Sequence, residues 1–226
     1  MVRPDLTAGM IGCYADLRVI DWRGDGVVFE RVSRRSKDRE NYGVRLPPGQ
    51  KVMEDWPVLT YGITPEIDLN EWRLRLFGAV ERDVEFTWEQ FIALPRTAVR
   101  CDIHCVTSWS RMDNEFEGVA LQELLKYVKP LPSAQHVLAH SYGGYNTNVP
   151  LQDLMAENVL LAHRHDGRDL TSGHGGPLRL IVPHLYLWKS AKWVRALEFM
   201  EEERPGFWET YGYHIRGDPW KEERYS

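Results

Sequence analysis

AVRCDIHCVTSWSRM, residues 98–112, is the stretch on which the fold turns. Its first half alternates, with Val99, Cys101, Ile103 and Cys105 on one face and Arg100, Asp102 and His104 on the other, the two-residue period of a β-strand. The alternation ends at Cys105, and the small hydroxyl-bearing residues Thr107, Ser108 and Ser110 follow as a loop. A cysteine that closes a strand and faces a loop can present its sulfur to a ligand. Its thiolate is a soft, strongly donating group suited to a soft or high-valent metal centre. The alternative is a buried cysteine packed as a small hydrophobe. Cys101, His104 and Cys105 offer at most three zinc ligands, and no second Cys or His pair stands at zinc-ribbon spacing. Strand alternation also sets His104 opposite both cysteines, which are too far apart in sequence for a Cys-x-x-Cys redox pair.

Outward from this strand, WRLRLFGAV (72–80) sets Trp72, Leu74 and Leu76 against Arg73, Arg75 and Phe77, another strand with one wetter face. Thr87-x-x-Gln90 reads as a capping box that opens a short helix, which Pro95 closes. Leu121, Leu124, Leu125 and Val128 fall at helical spacing before Pro130. Short strands are expected at 135–141, 159–164, 177–183 and 192–200, with a short helix near 151–156. Strands and helices interleave without a regular βα repeat, so a single mixed α+β domain is expected over a doubly wound sheet. RVSRRSKDRENYGVRLPPGQ (31–50) is charged and aperiodic and reads as a surface loop or mobile arm. The organisation expected is an N-terminal arm and charged loop over 1–50 and the domain proper over 51–226.

Composition narrows the class. The 226 residues are 43% hydrophobic and 27% charged with a net charge of −5, an ordinary mixed-sign surface without a nucleic-acid footprint. Asp5, Asp16, Asp21 and Asp25 interrupt every apolar candidate in the first thirty residues, so no leader is expected there. No run has the length to cross a bilayer. A cytoplasmic protein is expected, and Cys13, Cys101 and Cys105, odd in number, do not form a disulfide framework.

Two more clusters carry chemistry. SGHGGPLRLIVPHLYLWKSAKW (172–193) joins three glycines, which let backbone approach a ligand, to the fixed charges of Arg179 and Lys192. That suits a phosphate or another polyanionic headgroup, although the spacing is neither a Walker loop nor a dinucleotide fingerprint. The plainer alternative is a glycine-rich turn with basic surface residues. PGFWETYGYHIRGDPW (205–220) reads as an aromatic tail packed over a core edge.

In this order the three clusters resemble the molybdopterin domain of the sulfite oxidase superfamily, which includes the molybdenum subunit of bacterial methionine sulfoxide reductase and plant nitrate reductase. The resemblance runs from about Trp56 to Tyr213. It implies a mixed-sheet molybdopterin-binding fold, with Cys105 as the ligand to molybdenum. It further implies cofactor contacts from His174 and Arg179, from Ser190, Ala191 and Lys192, from Tyr61, Thr64 and Pro65 in YGITPEIDLNEWRL, and from Ser141. Tyr213 and Arg73 correspond to the tyrosine and the oxyanion-holding arginine of sulfite oxidases. Ser110 stands near the place of a further arginine, with Arg111 adjacent, and no counterpart of the family's large C-terminal dimerisation domain is expected. The activity implied is two-electron oxo transfer to or from a small S- or N-oxide or oxyanion, with an electron-transfer partner and without nucleic acid or a membrane span. The incomplete arginine set points towards reduction. The competing reading is a non-redox carrier or accessory subunit for molybdopterin.

Overall fold

Every second residue of the strand Arg73–Gly78 is apolar, and the sheets assemble around that fact. The computed structural model describes residues 38–226. Cys13, the first thirty residues and positions 31–37 of the charged stretch lie outside the described residues. In chain order the strands are β1 (Lys51–Val52), β2 (Arg73–Gly78), β3 (Val84–Thr87), β4 (Thr97–Cys105), β5 (Trp109–Ala120), β6 (His136–Ser141), β7 (Asn146–Pro150), β8 (Leu160–His165), β9 (Arg168–Asp169), β10 (Arg179–Ile181) and β11 (Val194–Met200). Four short helices interrupt them: α1 (Trp88–Ile92), α2 (Leu121–Val128), α3 (Leu151–Leu154) and α4 (Phe207–Thr210).

The strands form two mixed sheets. The first runs β1-β5-β8-β10, with β4 paired to β5 and β9 to β8; the second runs β3-β2-β11-β6-β7. Most pairs are antiparallel, but β1 lies parallel to β5 and β11 parallel to β2. The main core fills the space between the sheets. Trp72, Leu74 and Leu76 meet Val119, Leu161, Leu178 and Leu180 from the other sheet and Phe91, Leu121 and Leu124 from the helices. Each such side chain contributes roughly 1.5–3 kcal/mol on leaving water. The capping box at Thr87 and Gln90 forms, and α2 ends at Val128 before Pro130, as the spacing requires.

A smaller cluster covers the outer face of the first sheet: Ile103, Cys105, Trp109, Phe116, Leu160, Ala162 and Ile181, with Val99 and Cys101 packed against it. Two bulges shape this face. The register of β4 on β5 shifts between Cys101 and Ile103, and the extra residue lies on β5, where Asp113 has φ 55°. That insertion returns Trp109 and Phe116 to the same side. A second shift, between Glu117 and Gly118, places the extra residue of β8 at His163. His163 consequently turns towards Trp88, whereas His165 turns to Phe116 and Trp56.

Two local expectations are revised. The stretch 31–50 is not loop to its end: residues 38–42 are helical, Gly43–Arg45 is a 3-10 turn, and Leu46 and Gln50 are buried. The strand expected at 177–183 is only three residues long, because Gly176-Pro177 precedes it and Pro183 follows.

Candidate active site

Cys105 is the last residue of β4 and is buried, with its Sγ 3.1 Å from the Thr107 hydroxyl. The turn behind it is fixed by Ser108 N–H donating to the Cys105 carbonyl and by Gln50 Nε2 donating to the same oxygen at 3.1 Å. Burial pushes the thiol's pKa up, while the Thr107 hydrogen bonds and the charges of Arg179 and Arg224 draw it back down. Cys101 shares the face four residues earlier, but burial and Asp102 push its pKa up to about 12, so it stays an inert thiol. His104 points to the opposite face, where its Nδ1 meets Ser110 Oγ at 2.8 Å, and burial lowers its pKa to about 4. No group of three or more potential metal ligands of the His, Cys, Asp or Glu type forms among the described residues.

Arg179 opens β10 on this outer face and is 3% exposed. One guanidinium nitrogen donates to the His174 carbonyl at 2.8 Å, the group lies 5.1 Å over the Trp56 ring, and Nε has no partner. Burial lowers its pKa to about 10, which leaves it a cation at neutral pH. His174 Nε2 lies 3.0 Å from the Trp56 carbonyl and Nδ1 3.1 Å from Thr171 Oγ1. A carbonyl only accepts, so Nε2 carries the hydrogen. Lys192 donates to the Gly173 carbonyl (2.6 Å), the Leu59 carbonyl (2.8 Å) and Thr60 Oγ1 (3.0 Å). Burial, then the Arg179 charge, lowers its pKa to about 7. Gly175, at φ 103°, lets the chain pass Lys192: a Cβ there would lie 2.9 Å from the lysine's own Cβ. Ser190 Oγ accepts from Val182 N–H at 3.0 Å, and the Ala191 carbonyl accepts from Leu180 N–H, so this segment runs alongside β10. Ser141, at the end of β6, is buried with its hydroxyl unpartnered.

The tail closes the other side. Tyr213 stacks on Trp208 (centroids 5.1 Å, planes 23° apart) and meets Trp188 edge-on. Burial, then Tyr225 and Cys105, raises its phenol pKa. Arg224 bonds the Val106 carbonyl and lies over the Tyr186 ring. Periodicity gave no access to Arg224, Trp56 or Gln50. Only the aromatic density of the tail marked that region.

Not every expected residue joins Cys105. Arg73 leaves β2 on the side away from the core, donates to the Asn70 and Trp72 carbonyls, and faces Glu85 at 3.9 Å. Because Leu74 and Leu76 face the first sheet, Arg73 must point out of the second. Thr64 and Pro65 line a cavity of about 920 Å³ with Trp88, His163 and Pro177, and its walls include neither Cys105 nor Arg179. Tyr61 is exposed and leans on Phe207 and Trp208, at the rim of the tail's aromatic group. Arg111 does share the Cys105 face but is held by Asn114, His165 and Asp166.

Residues 61–208 match the family model described as the oxidoreductase molybdopterin binding domain. The chain belongs to that family. Oxidoreductase YuiH of Bacillus subtilis (strain 168) is 45% identical over 183 residues, covering 80% of this chain and 92% of its own. The protein-methionine-sulfoxide reductase catalytic subunit MsrP of Gluconobacter oxydans (strain 621H) is 29% identical over 171 residues, 66% of this chain and 54% of MsrP. Among solved structures, the sulfane dehydrogenase SoxCD from Paracoccus pantotrophus aligns with a TM-score of 0.56 at 25% identity, over 62% of this chain and 40% of that one. The chain thus spans most of the Bacillus relative but about half or less of the other two. The sulfite oxidase-type fold, the molybdenum–molybdopterin cofactor and an oxidoreductase activity come with the family.

The residues present fit that cofactor. A buried guanidinium with an unused N–H and an orphaned serine hydroxyl are costly inside a protein unless a ligand uses them. The only buried thiol among the described residues stands on the same face as that guanidinium.

Proposed function

We propose that this chain catalyses two-electron oxo transfer to or from a small S- or N-oxide or oxyanion, with Cys105 as the protein ligand to molybdenum. The observation that carries the proposal is the pairing, on one sheet face, of the buried Cys105 thiol with Arg179, a buried cation that has an unused donor. Arg179 and Lys192 supply the positive charge that holds the pterin phosphate, and the His174 and Gly173 carbonyls anchor the two side chains in place. Ser141, Ser190 and Ala191 complete the wall, and Tyr61 stands at its rim. When bound, the cofactor supplies the two-electron chemistry; the protein orients it and admits the substrate. Burial leaves the Cys105 pKa raised even against Thr107, Arg179 and Arg224, so the thiol would give up its proton on coordinating the metal. Tyr213, held between two tryptophans and near enough to Cys105 to feel its charge, orients a substrate oxygen or moves a proton at its phenolic Oη. Arg224 gives the pocket a cation that favours anionic or strongly polar substrates.

The free thiols Cys101 and Cys105 suit a reducing compartment, the cytoplasm, and among the described residues no helix is long and apolar enough to cross a membrane. A separate electron-transfer partner closes the cycle. Metal and pterin analysis of the purified protein, followed by the pentavalent molybdenum signal on reduction, tests the proposal. Stoichiometric, redox-active molybdenum is expected. Pterin without metal would replace the enzyme with a cofactor carrier.

A further inference from the structure

Lys189 and Lys192 are three residues apart, and only the second faces the cofactor side. Lys189 has no solvent exposure. Its ammonium donates to the Asn148 carbonyl and Asn148 Oδ1, both at 2.8 Å, to the Ile215 carbonyl at 2.6 Å, and to Glu209 Oε1. The same Glu209 oxygen accepts from Thr147 Oγ1 at 3.0 Å and from Trp188 Nε1 at 3.1 Å. One buried ion pair therefore ties β7, the 3-10 turn Leu187–Lys189, α4 and the following loop at a single point.

The neighbours of these two residues are the argument. Trp188 precedes Lys189 and Trp208 precedes Glu209, and these two indoles hold the Tyr213 ring, one edge-on and one stacked, both with centroids at 5.1 Å. Tyr213 N–H also donates to the Trp208 carbonyl at 3.1 Å. Gly206 leaves room for the carboxylate, since a Cβ there would lie 2.6 Å from Glu209 Oε2. A buried ion pair is a poor device for stability, because desolvation offsets most of its attraction, but it is a good device for geometry. Its direction and its many acceptors fix the atoms around it.

We propose that the Lys189–Glu209 pair is a positioning device for Tyr213: by fixing Trp188 and Trp208 it sets the ring's place and orientation. Lys189 and Glu209 touch no reacting atom and act through the tryptophans. The functional value of this placement rests on the role proposed for Tyr213; the placement itself does not.

The test separates the two. Place 3-fluorotyrosine at position 213 and record its fluorine resonance in the cofactor-free and loaded full-length protein. One sharp resonance is expected in the parent, and a shifted or exchange-broadened one in Glu209→Gln. Lys189→Arg, which keeps the charge, should restore most of the parent signal. Glu209→Gln leaves a buried ammonium without its counter-ion, so the double substitution Lys189→Met with Glu209→Met provides a second variant free of buried charge. It should melt cooperatively and still show the broadened signal. An unchanged resonance in this folded double variant overturns the proposal. A disordered ring with unchanged oxo-transfer rate leaves the positioning role standing and removes Tyr213 from the mechanism.

Discussion

The strand-built half of the site and the tail-built half reach the same face of the first sheet by different means. Cys105 and Arg179 sit at the end of one strand and the start of another, so the sheet itself sets the direction of both side chains. Tyr213 and Arg224 sit on irregular chain whose place depends on one buried ion pair and a few carbonyls. The first half should tolerate the loss of any one polar contact because its backbone is laddered, whereas the second should move when its ion pair goes. Catalytic parts that must not shift suit strands, whereas parts that meet the substrate are well placed on the more adjustable tail.

The largest break expected in this comparison is at Cys105. Cys105→Ser should abolish activity and the native molybdenum signal, because serine keeps the shape but is a harder, weaker ligand for this centre. Cys101→Ser, four residues earlier on the same face, should leave both nearly intact, since its thiol is inert and partly buried in the small cluster. Full activity in Cys105→Ser would overturn the assignment.

On the tail, Tyr213→Phe should retain the cofactor while slowing the oxo-transfer half-reaction by up to ~10²-fold, the size expected of one positioned donor. Stopped-flow reduction and reoxidation of the metal reads this directly. Unchanged rates would reduce Tyr213 to an aromatic that merely packs.

These two residues also show how far sequence reaches. The alternation around Cys105 was legible because a sheet has one rule, period two, and the bulge that could have broken it falls on β5 rather than β4. The capping box at Thr87 and the helix at Leu121 were legible for the same local reason. Lys189 was not. Nothing in WKSAK distinguishes the buried lysine from the one at the site, because the partners that decide, Asn148 and Glu209, lie 41 and 20 residues away. Residues 38–50 were misread as loop because their order comes from contacts as distant as Gln50 on Cys105. The cofactor assignments rested on resemblance, and the fold turns Arg73 away from the face that carries Cys105.

The anion-holding residues sharpen the comparison next. Arg179→Ala and Lys192→Ala should lower cofactor occupancy rather than the turnover of molecules that keep it, each by roughly 1.5–3 kcal/mol for a charge-assisted hydrogen bond. Normal occupancy with lost turnover would transfer these residues to the chemistry. Lys192 adds a pH dependence. Its pKa is depressed to about 7 in the cofactor-free protein, so the cation that attracts a phosphate is present below that pH and lost above it. The affinity of the cofactor-free protein for sulfate, whose own charge is constant in this range, should therefore fall about tenfold between pH 6 and pH 8. The slope should disappear in Lys192→Met. A flat profile in the parent would mean that Lys192 does not contribute its charge to the site.

The smallest effect is expected at Arg73, and it divides the two sheets. If charge near the substrate came from the position that resemblance suggested, Arg73→Gln would raise the Michaelis constant for an anionic substrate and weaken its salt dependence. The fold argues otherwise. Leu74 and Leu76 face the main core, which turns Arg73 out of the second sheet, while Cys105 faces out of the first. Its guanidinium already donates to the Asn70 and Trp72 carbonyls and faces Glu85 in surroundings open enough for solvent to screen the pair. Arg73→Gln should accordingly leave rate, Michaelis constant and salt dependence unchanged and shift stability by no more than about 0.5 kcal/mol. Arg224→Gln supplies the contrast, because it lies by the loop after Cys105 and its charge acts on that thiol. There the Michaelis constant for an anionic substrate should rise, with less change for a neutral sulfoxide. Steady-state kinetics for both substrates at two salt concentrations compares the variants. A salt-sensitive loss in Arg73→Gln together with none in Arg224→Gln would return the substrate cation to the second sheet.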